Sequence, residues 1–269
     1  KLKKLQHLSE IHHLYDAFII DLWGVMHNGV ELYKDAINAV ENLKKKEKRI
    51  TFLSNAPRPS LNVVKFLKKL KMNENLLENV LTSGEAAIKS IQDQKFGKNF
   101  YHLGPERDNS IFKGLEKNQV DLKNSDFILC TGLFDDKIDD LIFYHNLLKD
   151  FSNKQLICTN PDLIVHRGQV TEYCAGTIAQ IFEKIGGKVV YFGKPHKDIY
   201  NLCLKKNERT LAIGDNLRTD IKGANNLNLD SIFITDGIHR SELGKIEELE
   251  NLLNNYGVKT NFFQNRLVW

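Results

Sequence analysis

Long apolar runs are missing from this 269-residue sequence. No stretch approaches the roughly 18 to 20 residues that a bilayer-spanning helix needs, and Lys1 to Glu10 lack the apolar centre of a signal peptide. No membrane partner is expected, and a cytoplasmic location is the default. Proline is scarce, with 5 residues, and the 17 glycines are unremarkable in number; with 42% hydrophobic and 27% charged residues, this excludes a disordered, collagen-like or low-complexity chain. The four cysteines (Cys130, Cys158, Cys174, Cys203) form no Cys-x-x-Cys pair and have no histidine at zinc-finger spacing, which argues against a disulfide framework or a structural zinc site. Cys130 and Cys158 lie in apolar runs and read as small buried hydrophobes rather than nucleophiles. Nor is there charge of one dominant sign: 38 basic against 34 acidic residues leave +4. The densest basic run, Lys44 to Arg49, closes a helical pattern, where it complements the helix dipole. No basic face interleaved with aromatics appears, so no nucleic-acid partner is expected.

What is present is alternation. At roughly 150 residues per domain the length fits one large domain or two modest ones. Short apolar runs alternate with amphipathic segments, the pattern of parallel strands and crossover helices. Phe18-Ile19-Ile20 ends in Asp21, a helix follows with Ala36, Ile37, Val40 and Leu43, and Ile50 to Leu53 ends in Ser54-Asn55. Near the C-terminus the alternation resumes with Val189 to Phe192, Leu211 to Gly214 and Ile232 to Thr235. Between these sets lies a separate group of strands and helices, read as an inserted domain. The run Asn261 to Trp269, with three aromatics, is expected to pack back onto the core or to form a contact surface.

Four polar elements follow apolar strands: Asp21 in DLWGV, Ser54-Asn55, Lys194 in Gly193-Lys194-Pro195, and the acidic pair of Gly214 to Asp220. Ligands of open parallel sheets bind at the carboxyl ends of strands, where all four fall. Singly, each is ordinary turn, cap or surface chemistry. In this order they resemble the four motifs of the haloacid dehalogenase superfamily. The chain further resembles its subfamily IIA, which has a large cap inserted after the second motif and includes N-acetylglucosamine-phosphate phosphatase-like and nitrophenylphosphatase-like proteins. Supporting phrases are Asp21 to Gly29, Thr131 to Asp136, Thr159 to Asp162, Ala175 to Ala179, Gly193 to Pro195 and Gly214 to Asp220, and the resemblance runs from Tyr15 to Gly237.

The resemblance implies an α/β fold: a Rossmann-like doubly wound parallel core over residues 1–81 and 189–269, with an α/β cap over 82–188. It implies a phosphatase-like hydrolase acting on a small phosphorylated metabolite, sugar phosphates among the candidates, with Asp21 as the nucleophile that forms an aspartyl-phosphate. Caps in this subfamily often pair, so a homodimer through the cap is expected. A carboxylate attacks a charged phosphoryl group only if a cation neutralises it, and Mg²⁺ suits oxygen ligands. Asp21, Asp215 and the backbone carbonyl of Trp23 would supply those oxygens, with Asp220 orienting the metal's surroundings. Ser54 and neighbouring N–H groups would hold the phosphate and Lys194 would balance the transition-state charge. In the cap, Asn160 and Asp162, with Asn55 of the core, are candidates for substrate binding; Asn160-Pro161-Asp162 equally reads as a turn between strands.

One position departs from the family pattern. Active members usually carry a second Asp two residues after the nucleophile, which protonates the leaving oxygen and activates water; here it is Trp23. Indole donates a hydrogen bond but shuttles no proton at neutral pH. His27 and His196 lie near enough in sequence to be substitutes. The alternative to a slowed hydrolase is a phosphate-ester-binding or regulatory protein that keeps the metal site.

Overall fold

The computed structural model describes residues 1–269. Ala17–Ile20 is buried along its whole length, as expected for a central strand with both faces covered. It pairs with Arg49–Ser54 on one side and Thr210–Gly214 on the other. Around this centre stands a seven-stranded sheet in the spatial order Lys3–Lys4, Phe262–Gln264, Asp230–Ile234, Thr210–Gly214, Ala17–Ile20, Arg49–Ser54 and Val80–Thr82. All its pairings are parallel. The chain first winds from Ala17–Ile20 toward Val80–Thr82, then returns to add strands on the opposite side. The reversal falls between Ala17–Ile20 and Thr210–Gly214, and such a switch point opens a crevice at the strands' carboxyl ends.

Helices Lys34–Lys45 and Ser60–Lys69 cover the sheet through Ala36, Val40, Leu43, Val63 and Leu67. The basic run at the end of the first of these helices is engaged locally. Lys44 pairs with Glu78 at 3.1 Å, Lys48 donates to the Tyr15 carbonyl at 2.8 Å and Arg49 bridges to Glu208. The C-terminal aromatic run does return to the core: Phe262–Gln264 is a strand, and Trp269 packs against the same apolar cluster.

A second, four-stranded parallel sheet has the order Lys188–Tyr191, Gln155–Cys158, Phe127–Cys130 and Phe100–Leu103. This corrects one strand assignment. The run at Val189 to Phe192 does not resume the first sheet; it is the outer strand of the second, paired with Gln155–Cys158. A buried parallel strand has the same apolar signature in either sheet, so periodicity carries no information about which one it joins. From the sheet membership we infer that the inserted domain runs to Tyr191. A two-stranded hairpin, Ile164–Arg167 with Val170–Tyr173, projects from it, unanticipated because its strands, half-buried in the first and mostly exposed in the second, show no apolar alternation. All four cysteines are buried and free, and burial pushes the Cys130 thiol well above its usual pKa, as befits packing residues. No helix is long and apolar enough to cross a membrane.

Phe52 is fully buried in the strand beside Ala17–Ile20 and belongs to the main apolar cluster. Phe52→Ala is expected to cost about 3–5 kcal/mol in urea unfolding. A loss below about 1 kcal/mol would mean that this face of the sheet is loosely covered.

Candidate active site

Each strand end delivers one polar residue to the crevice. Asp21 follows Ala17–Ile20, Ser54 ends its strand, and Asp215 follows Thr210–Gly214. Past Asp215 the backbone makes a π-turn, Leu217–Ile221, which brings Asp220 back toward the strand ends. The turn is pinned at its start: the Leu217 N–H donates to His239 Nε2 at 3.0 Å, and Asn216 accepts from the Arg218 N–H at 3.0 Å. His239 had no signal in the sequence, because its partner is 22 residues away.

Asp21, Asp215 and Asp220 come together, each offering one carboxylate oxygen within 4.8 Å of the others. Lys194 reaches the group from the far end of the inserted segment. Its Nζ lies 2.9 Å from Asp21 Oδ1 and 2.7 Å from Asp220 Oδ1, and donates to the Leu53 carbonyl at 2.6 Å. Burial disfavours the Lys194 ammonium, but Asp21 and Asp220 outweigh it and hold its pKa well above the ordinary value. The carboxyls respond in the opposite sense. Burial, then the nearby Asp21 and Asp220 charges, push Asp215 well above the ordinary carboxylate range, and burial with Asp21 raises Asp220 despite its bond to Lys194. One ammonium among three carboxyls leaves a charge deficit that a divalent cation would fill. Room for Asp215 depends on Gly24, whose φ of +90° suits glycine and where a Cβ would overlap the carboxylate.

The loops around this cluster are knotted together by Asn55. Its Oδ1 accepts from the Lys194 N–H at 2.9 Å, while its Nδ2 donates to the Lys194 carbonyl at 2.9 Å and to Asp162 Oδ1 at 3.0 Å. The amide read in the sequence as substrate-binding thus has both N–H donors committed to the protein and positions its neighbours. Asn160 accepts from the Asp162 N–H at 3.1 Å, the Asx-turn arrangement, which makes these residues a turn between Gln155–Cys158 and Ile164–Arg167 with Asp162 bonded to Asn55 of the core. Ser54 Oγ accepts from the Ala56 N–H at 3.1 Å and faces a cavity of about 500 Å³ between core and cap.

Trp23 faces that cavity and a second one of about 270 Å³ on the Asp215 side. Its Nε1 donates to the His166 carbonyl in the hairpin at 2.7 Å, and the Arg167 guanidinium lies over its ring, 4.7 Å from the centroid. A second bond, from the Gly168 N–H to the Asn28 carbonyl at 3.0 Å, ties the same hairpin to the same loop. The Trp23 carbonyl accepts no backbone hydrogen bond. Neither histidine offered as a substitute acid is suited to the work. Burial pushes His27 down to about 3, and its Nδ1 accepts from the Gly29 N–H at 2.9 Å; His196 stacks on Tyr191 at 5.1 Å and is likewise lowered by burial.

Comparison with known proteins agrees with this arrangement. Residues 18–117 match the haloacid dehalogenase-like hydrolase family and residues 191–255 a second, related hydrolase-like family. A haloacid dehalogenase-like hydrolase from Brucella suis is 31% identical, with a TM-score of 0.87 over 98% of this chain and 100% of that one. A Thermotoga maritima 4-nitrophenylphosphatase is 24% identical and shares the fold, with a TM-score of 0.70 over 95% and 96% of the two chains. Among curated relatives, the 5'-nucleotidase YutF of Bacillus subtilis is 26% identical over 85% of this chain and 90% of its own. The acid sugar phosphatase of Staphylococcus aureus is 25% identical over 85% and 89%. With four motifs meeting at the switch point, a large inserted domain above them and a full-length relative of the same architecture, the chain belongs to the haloacid dehalogenase-like hydrolases, in the large-cap subfamily IIA.

Proposed function

We propose that this protein is a phosphomonoester hydrolase that works through an aspartyl-phosphate on Asp21. The observation that carries the reading is the convergence of Asp21, Asp215, Asp220 and Lys194 at the strand ends, beside a cavity closed by the cap. The names of the curated relatives, a nucleotidase and sugar phosphatases, support a small phosphorylated substrate.

The donor set fits Mg²⁺. Three carboxylate oxygens and an unbonded Trp23 carbonyl are hard oxygen ligands, and one lysine under-compensates three acids. Bound there, the ion would neutralise the phosphoryl oxygens and lower the barrier to attack by an anion. Asp21 Oδ attacks phosphorus, the ester oxygen departs, and water later cleaves the acyl phosphate to return the carboxylate and release inorganic phosphate. Lys194 supplies a fixed positive charge 2.9 Å from the nucleophile, and the Ser54 hydroxyl donates to a phosphate oxygen. Asn55 holds Lys194 and Asp162 in register.

Proton transfer is where this chain differs from its family. The Trp23 N–H is engaged by the His166 carbonyl, and an indole cannot give up its proton at neutral pH. Leaving groups that depart as stable anions, such as aryl and acyl phosphates, suit this site best.

Three experiments test the reading. Phosphate release from an aryl, an acyl and several sugar and nucleotide phosphates is expected to need both Mg²⁺ and Asp21, and Asp21→Asn should abolish it in a folded protein. Release retained by that variant would remove Asp21 as nucleophile, and binding without release in the wild type would turn the reading toward a phosphate-ester-binding protein. Asp215→Asn relieves the carboxylate crowding, so the metal-free variant should be more stable than the metal-free wild type by about 1–2 kcal/mol, a rise of several degrees in Tm. Mg²⁺ should then stabilise only the wild type; a variant still stabilised by Mg²⁺ would show that Asp215 does not hold the ion. Trp23→Asp is expected to raise turnover of alkyl phosphates, by up to about 10² to 10⁴ if the missing acid is the whole limitation. No gain in a folded, Mg²⁺-binding variant would mean that proton transfer does not limit the rate.

A further inference from the structure

The cavity between core and cap holds three arginines, and two of them are already engaged. Arg107 pairs with Asp135 at 2.8 Å, and Arg167 pairs with Glu172 at 3.1 Å while covering Trp23. Arg58 is different. Its Nε is buried without a hydrogen bond and has only a loose ion pair, and its terminal nitrogens make no hydrogen bond to the protein. The nearest carboxylate, Asp108 of the cap, stands 3.6 Å from Nε, beyond hydrogen-bond distance, and its own Oδ1 is a buried orphan. The terminal N–H groups, on the open part of the side chain, are therefore left to solvent or to a ligand in the cavity.

The arginine is nevertheless held in place. Thr82 Oγ1 donates to the Arg58 carbonyl at 2.6 Å, and the Gly84 position, where a Cβ would overlap the Arg58 backbone, lets the following helix close against it. Asp108 supplies a counter-charge at the Nε edge, where it steers the planar group without consuming its fork. The side chain keeps 28% of its surface open and lines the same cavity as Asp21 and Ser54. A free fork of N–H donors matches two oxygens of one anion better than any neutral group does.

We propose that Arg58 binds a second anionic group of the substrate, so that the preferred phosphomonoesters carry a carboxylate or a further phosphate besides the phosphate that is cleaved. This rests on the hydrolase reading above and names its substrate class. Reach agrees with a small metabolite. Arg58 lies four positions after Ser54, so their Cα atoms are at most about 14 Å apart. A cavity of about 500 Å³ is of ordinary size for a small ligand.

The test is selectivity. Wild-type, Arg58→Ala and Arg58→Lys proteins are assayed with Mg²⁺ on two matched pairs: glycerol phosphate with phosphoglycerate, and glucose monophosphate with glucose bisphosphate. The first pair isolates a carboxylate and the second a further phosphate. The wild type is expected to favour the doubly anionic member of at least one pair, and Arg58→Ala should reduce that kcat/KM preference about 10- to 100-fold, mainly through KM. Arg58→Lys should restore part of it, which a collapsed fold could not do. An unchanged ratio, whether because both members lose equally or because neither does, would overturn the proposal; equal loss would assign Arg58 to the cleaved phosphate. Calorimetric binding of the same pairs to Asp21→Asn, with and without Arg58→Ala, reads the ratio without turnover. A wild type that binds but does not hydrolyse therefore counts against the hydrolase reading alone, and a binding ratio indifferent to Arg58 counts against this proposal alone.

Discussion

Three carboxyls and one ammonium, all largely removed from water, are the constraint around which the rest of the structure is arranged. Like charges at this spacing repel, and burial strengthens the repulsion by lowering the local dielectric. Only a scaffold stiff enough to refuse relaxation can keep them there. Parallel strands covered on both faces supply the stiffness, and the π-turn and glycine at position 24 supply the local shape. The cluster is destabilising in isolation, and a cation placed among the carboxyls would relieve that cost.

The sequence announced this cluster better than it announced the fold around it. Asp21, Ser54, Lys194 and Asp215 each follow an apolar run, and parallel sheets deliver side chains to the carboxyl ends of their strands. Position along the chain was therefore enough to predict that Asp21, Ser54 and Asp215 meet; Lys194, 173 residues from Asp21, follows a strand of the second sheet, and its place in the cluster was legible only through the order of the motifs. The strand at Lys188–Tyr191 was misassigned because nothing in Lys-Val-Val-Tyr distinguishes the edge of one sheet from the interior of another. The hairpin at Ile164–Tyr173 escaped because its stability comes from contacts with Trp23 and Asn28 rather than from its own alternation.

Long-range polar pairings were the least legible. The Trp23 to His166 bond spans 143 residues and ends on a backbone carbonyl, which has no sequence signature at all. Arg58, in a loop, and Asp108, in a short 3-10 helix, are common residue types with no signal of their own; only their loose ion pair across the cavity, with neither Nε nor Oδ1 hydrogen-bonded, sets them apart. Asn55 was visible as part of a motif, but its role was not. An asparagine after a strand can face ligand or protein, and here the protein takes both of its N–H groups.

That last arrangement couples two placements that could have been independent. The segment by which the chain re-enters the core from the cap is the segment that carries Lys194, and Asn55 grips its backbone on both sides while holding Asp162 of the cap. Re-entry segment and counter-ion are one peptide. The path by which the chain leaves the cap therefore also fixes where the ammonium stands between Asp21 and Asp220, so the roof and the charge balance of the floor are set by the same few atoms.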